Sequence, residues 1–189
     1  MDLWNWAEPG YKETRSSARL AAMLLSSGFR IQEGVSGIPT AFVAESGSGS
    51  PIIGILGEFD ALPGLSQTAA PRKEARKDGN GYGHACGHHL FGVASAAAAI
   101  AIATSLQTSG DPGTVRFYGT PAEEGGAAKV FMTRDGLFAD CDAVLHWHPS
   151  SMTAAGDPTC LARVAAKFRF KGISSHAAVA PERDRKSVV

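Results

Sequence analysis

The sequence predicts an α/β fold, a mostly parallel sheet flanked by helices, with the start of a second unit after it. Three observations lead there. Strand-like and helix-like hydrophobic patterns alternate between residues 13 and 147. One run, Ile52-Ile53-Gly54-Ile55-Leu56, is apolar throughout and bounded by Pro51 and Gly57, as befits a strand buried on both faces. Beyond Pro149 the character changes to a small, polar stretch, and a new alternating segment begins.

In chain order, residues 13–27 read as a helix with Leu20, Ala21, Leu24 and Leu25 on one face, ended by Gly28. Short strands are expected at 29–32 and 40–45, and the Ser-Gly-Ser-Gly-Ser-Pro of 46–51 is a loop by composition. Residues 69–83 are charged and without period. Arg72, Lys73, Arg76 and Lys77 could bind an acidic substrate there, although a solvated loop is the plainer reading. Residues 90–108 form an alanine-rich helix whose small side chains let it lie close against a sheet. Asp111-Pro112-Gly113 turns the chain into a strand at 114–119; 127–134 looks helical and 143–147 is a further short strand. Residues 150–158 are a linker, and 161–170 alternate as a strand of a new unit. The expected domains are therefore 1–158 and 159–189.

Composition excludes several classes. The chain has 189 residues and a hydrophobic fraction of 44%, enough for one full domain with a real core and the start of another. Eighteen basic residues balance eighteen acidic ones, so no net field points to nucleic acid or an anionic membrane. Three cysteines, Cys86, Cys141 and Cys160, suit a reducing compartment, hence the cytoplasm. No signal peptide is visible at the N-terminus. The uncharged run 91–106 is too short and too weakly hydrophobic to cross a bilayer comfortably, and reads as a buried helix.

Ligands of open α/β sheets bind at the carboxyl ends of strands. Glu58 and Asp60 follow the 52–56 strand, Glu123 and Glu124 follow 114–119, and His146 and His148 end 143–147. Cys86 and His88 sit just before the alanine-rich helix. Four segments thus deliver ligand-type side chains to one edge. The Cys-x-His spacing lacks the second pair of a structural zinc site, so a centre open to water and substrate fits better. The helix N-terminus would favour a Cys86 thiolate and a neutral His88, the forms that bind metal. A buried cysteine beside surface histidines is the bland alternative. His84 and His89 flank this pair and could hydrogen-bond a ligand or the substrate. Of the adjacent glutamates, one can bind metal while the other serves as general base, although a bare Glu-Glu pair is more often simply solvated. Alternation puts His146 and His148 on one face, so both are candidate ligands. Asp60 is placed to orient a ligand histidine or to bind metal itself. His176 belongs to the second unit and says little alone.

The ordered motifs 57–67, 83–89, 121–126, 146–149 and 171–178 resemble those of the aminoacylase- and carboxypeptidase-G-like metallopeptidases. The His84-Ala85-Cys86-Gly87-His88 wording is similar to the branch of hippurate hydrolases and auxin-conjugate amidohydrolases. The resemblance implies a zinc-exopeptidase-like catalytic domain over 1–158 and the start of an α+β lid, or dimerisation, domain over 159–189. It implies Cys86, His88, Glu124 and His148 as ligands of one or two divalent ions (zinc or manganese), and Glu123 as general base. Asp60 would orient the site, and His176 would approach the substrate from the lid. The implied reaction is hydrolysis of an amide between an acyl or aroyl group and an amino acid, in an aminobenzoyl-glutamate- or N-acyl-amino-acid-like substrate. The implied assembly is a homo- or hetero-dimer through the lid. Departures from the pattern are Glu58 where many relatives have a histidine ligand (which fits the cysteine branch), His89 where the branch usually has Asp or Asn, the ending 181–189, and the absence of a C-terminal return that supplies another ligand histidine. The chain therefore reads as an N-terminal portion. Its rivals are a catalytically silent subunit with a partial metal site, and an enzyme using Cys86 as nucleophile activated by His84 or His88.

Overall fold

Alternate apolar positions decide which face each strand turns to which helix. The computed structural model describes residues 1–156 together with 161, 162, 164, 166, 168, 169, 176, 178 and 179. In order the elements are α1 (Asp2–Trp6), α2 (Thr14–Ser26), β1 (Arg30–Glu33), a 3-10 turn (Val35–Gly37), β2 (Phe42–Ser48), β3 (Ile52–Gly57), β4 (Leu62–Pro63), β5 (Tyr82–Gly83), α3 (His88–Ser109), β6 (Gly113–Gly119), α4 (Ala128–Arg134) and β7 (Ala143–Leu145). The chain divides after Ser151, and all of these elements belong to the first unit. Of the strand expected at 161–170 only 161, 162, 164, 166, 168 and 169 are described, none of them in a strand, and the segment 171–175 lies outside the described residues.

The main sheet runs β1-β2-β6-β3-β7. β3 pairs in parallel with β6 on one side and β7 on the other, as its uninterrupted apolar run predicts. β2 is antiparallel to both β1 and β6, so the sheet is mixed. β2 also continues through Ser46, Gly47 and Ser48, which composition assigned to a loop. These residues pair with Val115, Thr114 and Gly113 through the backbone, which does not depend on side-chain type. β7 stops at Leu145, short of the expected 147.

Both faces are covered. Phe42 and Ala44 of β2, Ile55 of β3, and Val115 and Phe117 of β6 turn to α2 and α3, joining Leu20, Leu24, Ala96, Ala99 and Ala103. Val43 and Tyr118, one position out of step, turn the other way to Ala128 and Met132 of α4. The period-2 alternation of each strand therefore serves two cores.

The helix α3 is longer than the run seen in the sequence. With 22 residues and a mean hydropathy of 1.7 it is, by length and composition, long and apolar enough to cross a membrane. Its Phe91, Ala96, Ala99 and Ala103 are nonetheless buried, the three alanines against the sheet. Gly92 sets the closeness: a Cβ there would lie 2.6 Å from the Glu58 carbonyl oxygen. This close approach lays the first turn of α3 beside the end of β3.

Candidate metal centre

Because β3, β6 and β7 are parallel, their carboxyl ends share one edge, and the N-terminus of α3 comes up beside β3. Glu58 and Asp60 leave β3, Glu123 and Glu124 follow β6, His148 follows β7, and Cys86 and His88 open α3. The ligand atoms of Cys86, His88 and His148 all lie within 4.8 Å of one another, and so do those of Glu58, His88 and Glu123. His88 belongs to both groups, which makes them one site.

His88 is fully buried. Its Nδ1–H donates to Asp60 Oδ1 at 2.8 Å, which turns Nε2 toward the cluster. Nε2 lies 2.9 Å from Glu58 Oε2 and 4.0 Å from Glu123 Oε2. His88 Nε2 and Glu58 Oε2, both buried, share this ion-pair contact and no well-aligned hydrogen bond. The other Glu58 oxygen accepts from Lys129 of α4. Asp60 uses its second oxygen too: Oδ2 accepts the Glu124 backbone N–H at 3.0 Å. Cys86 Sγ sits 3.3 Å from His148 Nε2, and His148 Nδ1 donates to the Pro149 carbonyl at 2.9 Å.

The electrostatics reverse one expectation. Burial, and then the adjacent Glu124 carboxylate that accepts its S–H, push Cys86 up to about 12. Burial by itself would lower His88, but Asp60 and Glu58 outweigh it and raise its pKa to about 10. Without a bound ion the site therefore holds a thiol and an imidazolium, not the thiolate and neutral imidazole expected from the helix N-terminus. A helix end contributes only about 0.3–1 kcal/mol, and four nearby carboxylates overwhelm it. Burial and then Glu58 raise the pKa of Glu123, which makes it a better proton acceptor.

These donors fit a divalent cation. Sulfur, imidazole and carboxylate converge, surplus negative charge surrounds them, and buried His88 Nε2 and Glu58 Oε2 have no well-aligned hydrogen bond. Such an ion would take the place of the protons on Cys86 and His88.

Other histidines lie elsewhere. His84 Nε2 donates to the Leu3 carbonyl at 3.0 Å, its ring is 4.9 Å from His89, and His89 is 5.0 Å from Trp4. Both rings thus pack toward α1, and His84 also meets the backbone of Asp60. Burial and then His84 push His89 down to about 4, so it stays neutral. His146 lies beyond the end of β7, and its ring packs edge-on to Phe91, 5.3 Å away, outside the cluster. His176 belongs to the second unit, where its Nδ1 accepts the Ala178 N–H at 3.3 Å. The sequence placed Glu58 at the ligand edge without giving it a role, and it did not single out Lys129. The period-2 spacing of Glu58 and Asp60 was the available signal for the first; nothing marked the second.

The model of peptidase family M20/M25/M40 matches residues 54–184, a span that holds every cluster residue. The chain belongs to this family. It is 45% identical to a p-aminobenzoyl-glutamate hydrolase subunit of Escherichia coli over 98% of its own length and 39% of that protein's. It is 31% identical to the Xaa-Arg dipeptidase of Mus musculus over 95% of its length and 40% of that protein's. Among solved structures, a dinuclear metal-binding M20 peptidase of Bacillus subtilis superposes with a TM-score of 0.63 at 28% identity, covering 76% of this chain and 39% of that one. The chain spans about two-fifths of the length of the curated relatives it matches. Its mixed sheet with helices on both faces is the fold of this family.

Proposed function

We propose that the chain carries the metal centre and general base of an amidohydrolase acting on an amide between an acyl or aroyl group and an amino acid. The observation that supports this reading is the convergence of two ligand groups on His88, with buried His88 Nε2 and Glu58 Oε2 both lacking well-aligned hydrogen bonds. Cys86, His88, Glu124 and His148 would hold one or two divalent ions, with Glu58 a further oxygen donor. An ion bound there supplies polarisation of the amide carbonyl and acidification of water. Glu123 takes the proton of the attacking water on its carboxylate as the oxygen–carbon bond forms. It then delivers that proton to the nitrogen as the carbon–nitrogen bond breaks. Asp60 keeps His88 in the tautomer whose Nε2 faces the ion. The Cys86 sulfur favours zinc, while the family resemblance favours manganese.

An aminobenzoyl-glutamate- or N-acyl-amino-acid-like substrate is supported by the 45% relative. We read residues 1–158 as the catalytic domain and 159–189 as the start of a lid through which a second subunit associates, with His176 on its substrate side. The cytoplasm is the compartment proposed. A catalytically silent subunit is the second reading, favoured because that same relative is named as one subunit of its hydrolase. Burial and the Glu124 carboxylate push the Cys86 thiol up, which disfavours the thiolate that the cysteine-nucleophile alternative needs.

The test is zinc and manganese content per chain for the 189-residue protein, alongside amidase activity of a polypeptide of the relatives' length that carries it. Bound metal with chelator-sensitive hydrolysis is expected. Bound metal without hydrolysis favours the silent subunit, and metal-independent hydrolysis blocked by thiol reagents overturns the proposal.

A further inference from the structure

We infer that Glu13 is a positioning residue: its buried carboxylate fixes the turn that carries Glu123 and Glu124. The catalytic meaning of this inference rests on the function proposed above. Glu13 occupies the position just before α2 and is fully buried, yet its side chain does not cap that helix. It reaches across the domain instead. Oε1 accepts the Ala122 backbone N–H at 2.9 Å, and Oε2 accepts the Thr40 hydroxyl at 3.0 Å.

Ala122 needs such a hold. Its φ of 55° lies in the left-handed region that alanine avoids, and its carbonyl accepts both the Gly126 and Ala127 N–H groups. The next residues are Glu123 and Glu124, and the Glu124 N–H donates to Asp60 Oδ2. Two buried carboxylates thus grip the turn on either side of Glu123, Glu13 at residue 122 and Asp60 at residue 124. The neighbours of Glu13 join in. A Cβ on Gly10 would lie 3.0 Å from Ala122, the Tyr11 hydroxyl donates to the Gly126 carbonyl, and the Ala61 N–H donates to the Glu8 carbonyl. Residues 8–13 are therefore wedged between the loop that holds Asp60 and the loop that holds Glu123. A buried carboxylate is a costly partner for the Ala122 amide, its own backbone N–H and one hydroxyl, and burial indeed raises its pKa. What it supplies is a long, well-aimed acceptor that no apolar residue offers.

The test uses three variants of the 189-residue chain, E13Q, E13D and T40V, with hydrogen exchange of the Ala122 amide and zinc affinity as readouts. E13Q keeps an acceptor for Ala122 and an amide for Thr40, and should preserve both readouts. E13D falls short by one methylene and should speed Ala122 exchange about tenfold and weaken zinc binding about tenfold or more. T40V removes only the second arm and should leave Ala122 protected. Unchanged Ala122 exchange in E13D overturns the inference, and so does T40V loosening Ala122 as much as E13D. If E13D does not fold, E13Q decides. Its Ala122 amide resonance must move, because the acceptor has changed from carboxylate to amide, and an unmoved resonance overturns the assignment. A wild-type chain that binds no zinc would refute the metal-centre reading, while Ala122 exchange would still test Glu13.

Discussion

Asp60→Asn is the substitution whose consequence the geometry defines most sharply. Asp60 is buried, and each oxygen accepts one hydrogen bond, from His88 Nδ1–H and from the Glu124 backbone. Asparagine offers one acceptor and two donors in the same volume. If its NH2 faces His88, Nδ1 must give up its proton and become an acceptor, so the ring's remaining proton sits on Nε2 and the nitrogen that should bind metal is a donor. If the NH2 faces Glu124, a buried backbone N–H is left unpaired at a cost of about 1–3 kcal/mol, and the glutamate turn moves. Loss of a group that orients a metal-binding histidine typically weakens affinity by about 10–100-fold. That corresponds to about 1.4–2.8 kcal/mol. The assay is zinc titration of the 189-residue chain against a competing chelator, with circular dichroism confirming the fold. An Asp60→Asn chain that binds zinc as tightly as wild type refutes the reasoning.

Four other substitutions follow from the same structure. Glu123→Gln should keep bound metal and lose hydrolysis by about 10²–10⁴-fold, whereas Glu124→Ala should lose metal; metal content and steady-state rates in the protein at the relatives' length separate them. Gly92→Ala should cost about 1–3 kcal/mol of stability in denaturant melts, since the new methyl meets the Glu58 carbonyl. Glu8 supplies the pH dependence. Burial opposes its ionisation, but hydrogen bonds from Ser16 and Arg15 outweigh it and hold the pKa below the usual 4.5. Its contribution is therefore complete above that value and fades as pH falls through the lower, folded one. Glu8→Gln should cost about 1 kcal/mol at neutral pH, like loss of a helix cap, and should flatten the acid side of the stability curve. An unchanged acid limb would contradict this.

How far the sequence anticipated the structure differs by element. Ile52–Leu56 announced a doubly buried strand because five consecutive apolar residues leave no polar face. The ligand edge was legible because Glu58 and Asp60, Glu123 and Glu124, and His148 each stand just past such a run. Strand direction was not legible at β2: alternation marks faces and says nothing of whether a neighbour runs parallel. Ser46–Ser48 misled because a backbone ladder tolerates residues whose composition suggests a loop. The charge states of Cys86 and His88 depend on carboxylates from other segments, which no local pattern reveals. Nothing local marked Glu8, Glu13 or Lys129, because their partners lie between seven and 109 residues away.

The measurement that bears most directly on the metal centre is zinc and manganese binding per chain by wild type, Cys86→Ala and His148→Ala, each with folding verified. One or two ions on the wild type, and marked weakening in both variants, are expected. No bound ion on a folded wild-type chain, or binding indifferent to both substitutions, would contradict the account.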